Sequence, residues 1–178
     1  MADLELLTAA DIPLMQGLAQ RVTAIRPDLI SADASYGELA WVWGKGRARY
    51  GADAWAPSPY TAQSYEDVRQ TAAYRSDLHV LVEAPDGTMA SSTIMWLDEV
   101  NKTVEFEPVG THPGYRRLGL ARAMMLHGMQ LARAAGAAHA TVVCQGASGH
   151  PEARGLYYGL GFRELSRDAP LIKTKTAG

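Results

Sequence analysis

With 178 residues, 47% of them hydrophobic and 20% charged, the chain has the length and composition of one soluble globular domain and too little charge bias for disorder. A formal net charge of -2 excludes any bulk electrostatic case for nucleic acid. The single cysteine, Cys144, excludes an intrachain disulfide and fits a reducing compartment.

The first residues carry acids where a signal peptide carries bases, and no later run reaches membrane-spanning length without charges or glycines. A cytoplasmic protein without a membrane partner is expected. Leu4–Leu7 reads as a first strand. Thr8, with Asp11 three residues on, reads as an N-cap for a helix through Val22, with Leu14, Leu18 and Val22 at helical spacing. Residues Ser31–Tyr74 are rich in aromatics, Trp41, Trp43 and Trp55 among them, and are broken by Gly44, Gly46, Gly51, Pro57 and Pro59. One helix is predicted near Ala34–Trp43 and another near Gln63–Tyr74.

From Leu78 the pattern turns to strand. Leu78–Glu83 and Thr88–Leu97 flank the turn Pro85-Asp86-Gly87, and Asp98–Lys102 turns the chain into a third strand, Thr103–Glu107. Together they predict an antiparallel meander. Leu118–Ala135 follows as a helix ended by Gly136, with apolar residues on both faces. Ala138–Gln145 predicts a strand joined in parallel to an earlier one. A helix over Pro151–Gly159 and closing strands at Phe162–Ser166 and Leu171–Thr174 complete the chain. No repeat or linker divides it, so residues 1–178 are taken as one domain.

The junction Pro108–Ala121 carries the most chemical information. Pro108 lacks a ladder donor, and Gly110 adds backbone freedom, so the strand is expected to bulge or splay around Pro108–Thr111. A splayed strand leaves main-chain groups for an extended amide-bearing ligand. Beyond it Arg116, Arg117, Leu118, Gly119, Leu120 and Ala121 open the helix. Unpaired N–H groups, a positive helix end and two guanidinium groups suit a pyrophosphate. Coenzyme A has both an amide-rich arm and a pyrophosphate. The bland reading of the same residues is a plain turn with solvated arginines.

A second segment follows the predicted strand: His150-Pro-Glu-Ala153-Arg-Gly-Leu-Tyr157-Tyr-Gly-Leu-Gly161-Phe162. The two segments together resemble the GNAT superfamily of acyl-CoA-dependent N-acyltransferases. Arg116–Ala121 is similar to its Arg/Gln-x-x-Gly-x-Gly/Ala cofactor motif, and 150–162 to its Asn-x-x-Ala-x-x-x-Tyr-x-x-x-Gly-Phe motif. The similarity spans roughly Leu78–Ser166, with Leu4–Val22 a looser match. It implies an α/β (α+β) fold with a mixed, centrally splayed sheet flanked by helices and acetyl-CoA in the cleft. It further implies that the backbone of Val109, Gly110 and Thr111 holds the pantetheine arm and polarises the thioester carbonyl. Arg116–Ala121 would hold the pyrophosphate, and Tyr157 would protonate the leaving thiolate. His150 stands where the family has asparagine; it either hydrogen-bonds the cofactor arm or is a loop histidine.

An amine must shed its proton before it attacks a thioester, so a base is needed, often acting through water. Glu107 and Glu105 lie two apart on the strand entering the splay and should face one side. Glu107, nearer the bulge, is the first choice; the alternative for both is solvent or an ion pair. Tyr158, beside Tyr157, is assigned to packing. Cys144 lies in an apolar strand and reads as a small hydrophobe, not a nucleophile. His127 and His139 have no cysteine or carboxylate at ligand spacing, so no metal is expected. His112 either approaches the cofactor or serves the turn.

These readings combine into an N-acetyltransferase acting on a primary amine of a small molecule or peptide, as a monomer or homodimer. The alternative is a non-catalytic acyl-CoA-binding or regulatory domain of the same fold. A nucleotide-binding protein ranks below both, because the chain lacks Gly-x-x-x-x-Gly-Lys-Ser/Thr and Gly-x-Gly-x-x-Gly. The aromatic stretch Ser31–Tyr74 occupies the place where the family builds its acceptor pocket.

Overall fold

The structure, a computed structural model, describes residues 12–26, 62–144 and 151–167. The expected strand Leu4–Leu7, the Thr8 cap, the helix near Ala34–Trp43, His150 and the strand Leu171–Thr174 lie outside them. The described chain runs α1 (Ile12–Ile25), α2 (Ala62–Arg69), β1 (His79–Glu83), β2 (Met89–Asp98), β3 (Thr103–Thr111), α3 (Leu120–Ala134), β4 (His139–Val142) and α4 (Pro151–Gly159).

The four strands form one sheet in the order β1-β2-β3-β4. β1–β2 and β2–β3 are antiparallel, and β3–β4 is parallel across the α3 connection. This is the expected meander followed by a βαβ step. The first turn is closed by Asp86, whose carboxylate accepts the Thr88 N–H at 2.9 Å, with Gly87 at φ 83. The second is closed by Asp98, whose Oδ1 accepts the N–H groups of Val100 and Asn101. Both are Asx turns, in which a short carboxylate replaces a backbone acceptor.

β2 is buried along nearly its whole length because helices cover both faces of the sheet. Met95 lies opposite Phe106, and Leu97 opposite Val104, so these four share a face. They pack with Leu78, Met125, Ala132 and Tyr157 in the main core. The intervening residues Ile94 and Trp96 point the other way and pack with Val68 of α2. Gly128 marks the closest approach of α3 to the sheet: a Cβ there would stand 2.8 Å from Met95 Sδ and 2.9 Å from Phe106 Cε1.

Several boundaries differ from the sequence expectation. The helix predicted over Gln63–Tyr74 stops at Arg69, because the Thr71 hydroxyl and N–H both turn back to the Val68 carbonyl. The helix predicted from Leu118 starts at Leu120, since Arg117 (φ 66) and Gly119 (φ 78) are left-handed. Its faces are also unequal: Met124 and Met125 are buried, whereas Leu126 is exposed. The strand predicted over Ala138–Gln145 spans only His139–Val142.

Phe162–Ser166 forms no strand within the described residues. Instead the Phe162 N–H donates to the Tyr157 carbonyl across Gly161 at φ 95, a helix-ending arrangement that brings the Phe162 ring back onto Phe106 and Tyr157. In α1, Leu14, Leu18 and Val22 share a stripe, but it is exposed, with Leu14 at 69%. The polar side of α1 does the docking: Gln20 donates to Asp98 at 2.8 Å, and Asn101 donates to the Gln20 carbonyl.

Candidate active site

Among the described residues β4 is an outer strand and borders only the first part of β3. β3 pairs with β4 only from Thr103 to Phe106, where Phe106 meets Val142. β3 then continues beside β2 alone, with Val109 opposite Thr93 and Thr111 opposite Ser91. Among the described residues no strand borders the other edge of β3 from Glu107 onward. Between Thr93 and Met95 the register slips, so that Ile94 alone faces the two residues Glu107 and Pro108. This is a β-bulge at the proline, where a missing N–H does least harm; the Glu107–Pro108 peptide is cis. The strand predicted to stop at Glu107 therefore runs to Thr111, bulged as the proline requires.

Alternation shows which backbone groups the open edge presents. The His112 N–H donates to Ala90 and the Gly110 carbonyl accepts from Ser91 Oγ, both on the β2 side. Val109 and Thr111, one residue out of phase, turn their N–H and C=O groups toward the open edge. Of the three residues expected to hold an amide arm, Val109 and Thr111 thus face the unpaired edge, and Gly110 faces β2.

The chain next makes a short 3-10 turn, Pro113–Tyr115. His112 serves this turn: its Nδ1 accepts the Gly114 N–H at 3.2 Å. Tyr115 ties the turn to the β1–β2 hairpin by donating to Asp86 at 3.1 Å. Arg116, Arg117, Leu118 and Gly119 follow as an exposed turn, not as the first turn of the helix. Gly119 caps α3 without a side-chain hydrogen bond, and the first helical turn contains no acid. The N–H groups of Leu120, Ala121 and Arg122 therefore lack intrahelical partners, and the positive helix end is not neutralised locally. A Cβ at Gly119 would meet nothing within 4 Å; the glycine is demanded by its left-handed φ, and the space beside it is open.

Tyr157, on α4, belongs to the main core with Phe106 and Met95. It is buried, with its ring edge-on to Phe162. Burial, then the Glu107 carboxylate, then Cys144 hold its hydroxyl well above the usual phenol range. Such a phenol keeps its proton near neutral pH. Phe106 of β3, Val142 and Cys144 at and after the end of β4, and Tyr157 of α4 share one core cluster. Tyr158, expected to pack, is 47% exposed with Arg154 lying over its ring. The Cys144 thiol is also pushed up, first by burial, which opposes thiolate formation.

Glu105 leaves β3 on the face opposite Phe106 and α3, as its register against Trp96 requires, and Glu107 lies in the bulge two residues on. Glu105 is 5% exposed beside Trp96, whereas Glu107 at the bulge is only partly buried. His127 and His139 are exposed, and no group of three or more metal-binding side chains occurs among the described residues. No described helix is long and apolar enough to cross a membrane.

Two residues that sequence reasoning passed over also shape the site. Arg122, in the first turn of α3, donates to the Gly159 carbonyl at 2.8 Å and joins that turn to the end of α4. Trp96 donates its indole N–H to the Glu107 carbonyl at 2.7 Å. Both contacts link residues distant in sequence and leave no local signature.

The sequence profile of the acetyltransferase (GNAT) family matches residues 47–162. A search of curated proteins finds no match. Among solved structures, the chain is similar to AAC(6')-Iy in complex with the bisubstrate analogue CoA-S-monomethyl-acetylneamine, at 17% identity and a TM-score of 0.52, covering 68% of this chain and 84% of that one. It is also similar to a mutant form of the BH1408 protein from Bacillus halodurans, at 12% identity and a TM-score of 0.57, covering 94% of this chain and 97% of that one. At such identities these likenesses concern the fold.

Proposed function

The chain belongs to the acetyltransferase (GNAT) family, and on that premise we propose that it transfers an acetyl group from acetyl-CoA to a primary amine of a small molecule or peptide. The observation that carries this reading is that β3 runs on past its last β4 pair, Phe106 with Val142, and among the described residues bares one edge at Val109 and Thr111 just ahead of the exposed turn Arg116–Gly119. The donor set fits acetyl-CoA. An edge of paired N–H and C=O groups suits the amide arm, and an acid-free helix end with two arginines suits the pyrophosphate.

Bound there, acetyl-CoA would supply an activated acyl group as a thioester. Val109 and Thr111 would pair with the arm and turn an N–H to its carbonyl oxygen, where negative charge develops. The turn Arg116–Gly119, with the first N–H groups at Leu120 and Ala121, would hold the pyrophosphate. Glu107 would accept the proton of the attacking amine, directly or through water, with Glu105 as the second candidate. Tyr157 would return a proton to the departing sulfur. The acceptor remains a small-molecule or peptide amine.

The test is a turnover screen with acetyl-CoA over simple amines, diamines, amino sugars and N-terminal peptides, following release of free thiol. Acetylation of at least one class is expected. Binding of CoA without turnover on any class would overturn the enzyme reading in favour of an acyl-CoA-binding domain.

A further inference from the structure

We propose that Trp96 is a positioning residue for this reaction: its indole N–H holds the Glu107 carbonyl and thereby sets where the bulge, and the carboxylate it carries, stand in the opening. The inference rests on the acetyl-transfer reading above.

Trp96 lies on β2, directly opposite Glu105 and diagonal to Glu107. Only 1% of its surface is exposed. The register slip gives Ile94 two partners, Glu107 and Pro108, so the β2 ladder cannot serve both. A proline with no N–H follows Glu107, and a buried carbonyl without a donor is strongly disfavoured. The indole has one donor and no acceptor. It directs that donor to this carbonyl at 2.7 Å, so a side chain replaces the ladder bond that the bulge removes.

The ring lies in the second core cluster with Ile94 and Val68, while its 2.7 Å hydrogen bond to the Glu107 carbonyl fixes the direction of its N–H whichever single neighbour is trimmed. Downstream of the bulge the ladder resumes on its own, with Val109 opposite Thr93. The indole therefore governs Glu107 more than the edge at Val109 and Thr111. This separation gives a signature that general loosening of the core would not produce.

The experiment compares Trp96→Phe with Val68→Ala. The first keeps an aromatic ring and loses the donor; the second loosens the same cluster without touching the bulge. With the amine found by the screen, Trp96→Phe is expected to lower kcat on the order of tenfold to a hundredfold, the scale of a displaced catalytic group, with the KM for acetyl-CoA unchanged. Val68→Ala should leave kcat unchanged even where it lowers Tm as much. Equal loss of kcat in both variants, no loss in Trp96→Phe, or a change confined to KM would overturn the proposal.

Hydrogen exchange of the Trp96 indole proton in the unmodified protein, identified by its through-space contacts to Glu107, supplies a second readout if Trp96→Phe does not fold. Slow exchange is expected, and exchange as fast as a solvated indole overturns the proposal. Should the unmodified protein acetylate no amine, the functional reading fails. Slow indole exchange would then show that the failure lies in the chemistry and not in the hydrogen bond.

Discussion

Replacing Gly128 with alanine tests the packing on which the opening is built. Gly128 sits inside α3, where alanine would normally be favoured by about 1 kcal/mol. Here the added methyl would stand 2.8 Å from Met95 Sδ, 2.9 Å from Phe106 Cε1 and 3.3 Å from Met95 Cε. Met95 and Phe106 are both fully buried, the Met95 thioether can bend but the Phe106 ring edge is rigid, and overpacking of this kind costs about 1–3 kcal/mol. The upper part of that range applies, and the net effect is a loss of roughly 1–2 kcal/mol after the helix gain is subtracted. For a chain of this size that corresponds to a Tm lower by roughly 2–8 °C.

Thermal unfolding followed by circular dichroism measures the shift, and a double-mutant cycle with Met95→Ala isolates its cause. Met95→Ala removes two of the three offending atoms. In that background Gly128→Ala should become neutral or stabilising, a coupling of about 1–2 kcal/mol. A single mutant at least as stable as the parent, or an equal loss in both backgrounds, would refute the close approach of α3 to Met95 and Phe106. Phe106 is also the last β3 residue paired with β4, so the seat of α3 and the start of the opening are one contact.

Three further outcomes are expected. Tyr157→Phe should lower kcat about a hundredfold or more, the usual weight of a positioned acid, while CoA binding persists; an unchanged kcat removes Tyr157 from the chemistry. Arg117→Gly should leave Tm equal or raised, because Arg117 holds φ 66 and glycine takes that conformation freely. It should also raise the KM for acetyl-CoA at low salt, with the difference shrinking as salt screens the charge; an unaltered KM at low salt would show that Arg117 does not face the anion. Burial, with the Arg69 charge, holds the His79 imidazole below its ordinary value of 6.5. The unfolded chain therefore takes up a proton first as pH falls through 6.5, and stability should decline from pH 7 downward. His79→Gln should flatten that decline in a Tm-versus-pH series, and an identical slope would dismiss the assignment.

The imidazole of His79 also shows why part of the molecule was illegible in sequence. Its Nδ1 lies 3.2 Å from the Tyr65 hydroxyl and 3.0 Å from that of Tyr74. The three join α2, the following turn and β1, and nothing local in the chain announces the meeting. The strands from Leu78 to Glu107 were legible because their hydrophobic runs are punctuated by Asp86-Gly87 and by Asp98, whose side chains close the turns themselves. The stop at Arg69 was not, because it depends on one threonine hydroxyl competing for a helical carbonyl. Phe162 looked like a strand residue, yet its ring belongs to the core beneath Tyr157.

By itself the sequence determined the order of the described elements from Leu78 to Gly159, the bulge that Pro108 demands, and the glycine-bearing turn before α3. Each follows from a local property: a missing N–H, a permitted left-handed φ, or a spacing of apolar side chains. Only the tertiary structure decided where β4 stops along β3, which of Val109, Gly110 and Thr111 face the open edge, and which tyrosine is buried. It also brought Trp96 to the Glu107 carbonyl and Glu107 within electrostatic reach of Tyr157. The physical reason is that edge exposure, burial and charge coupling arise between segments. They depend on the register of one strand against another, and a one-residue shift in that register redirects every side chain and every backbone group beyond it.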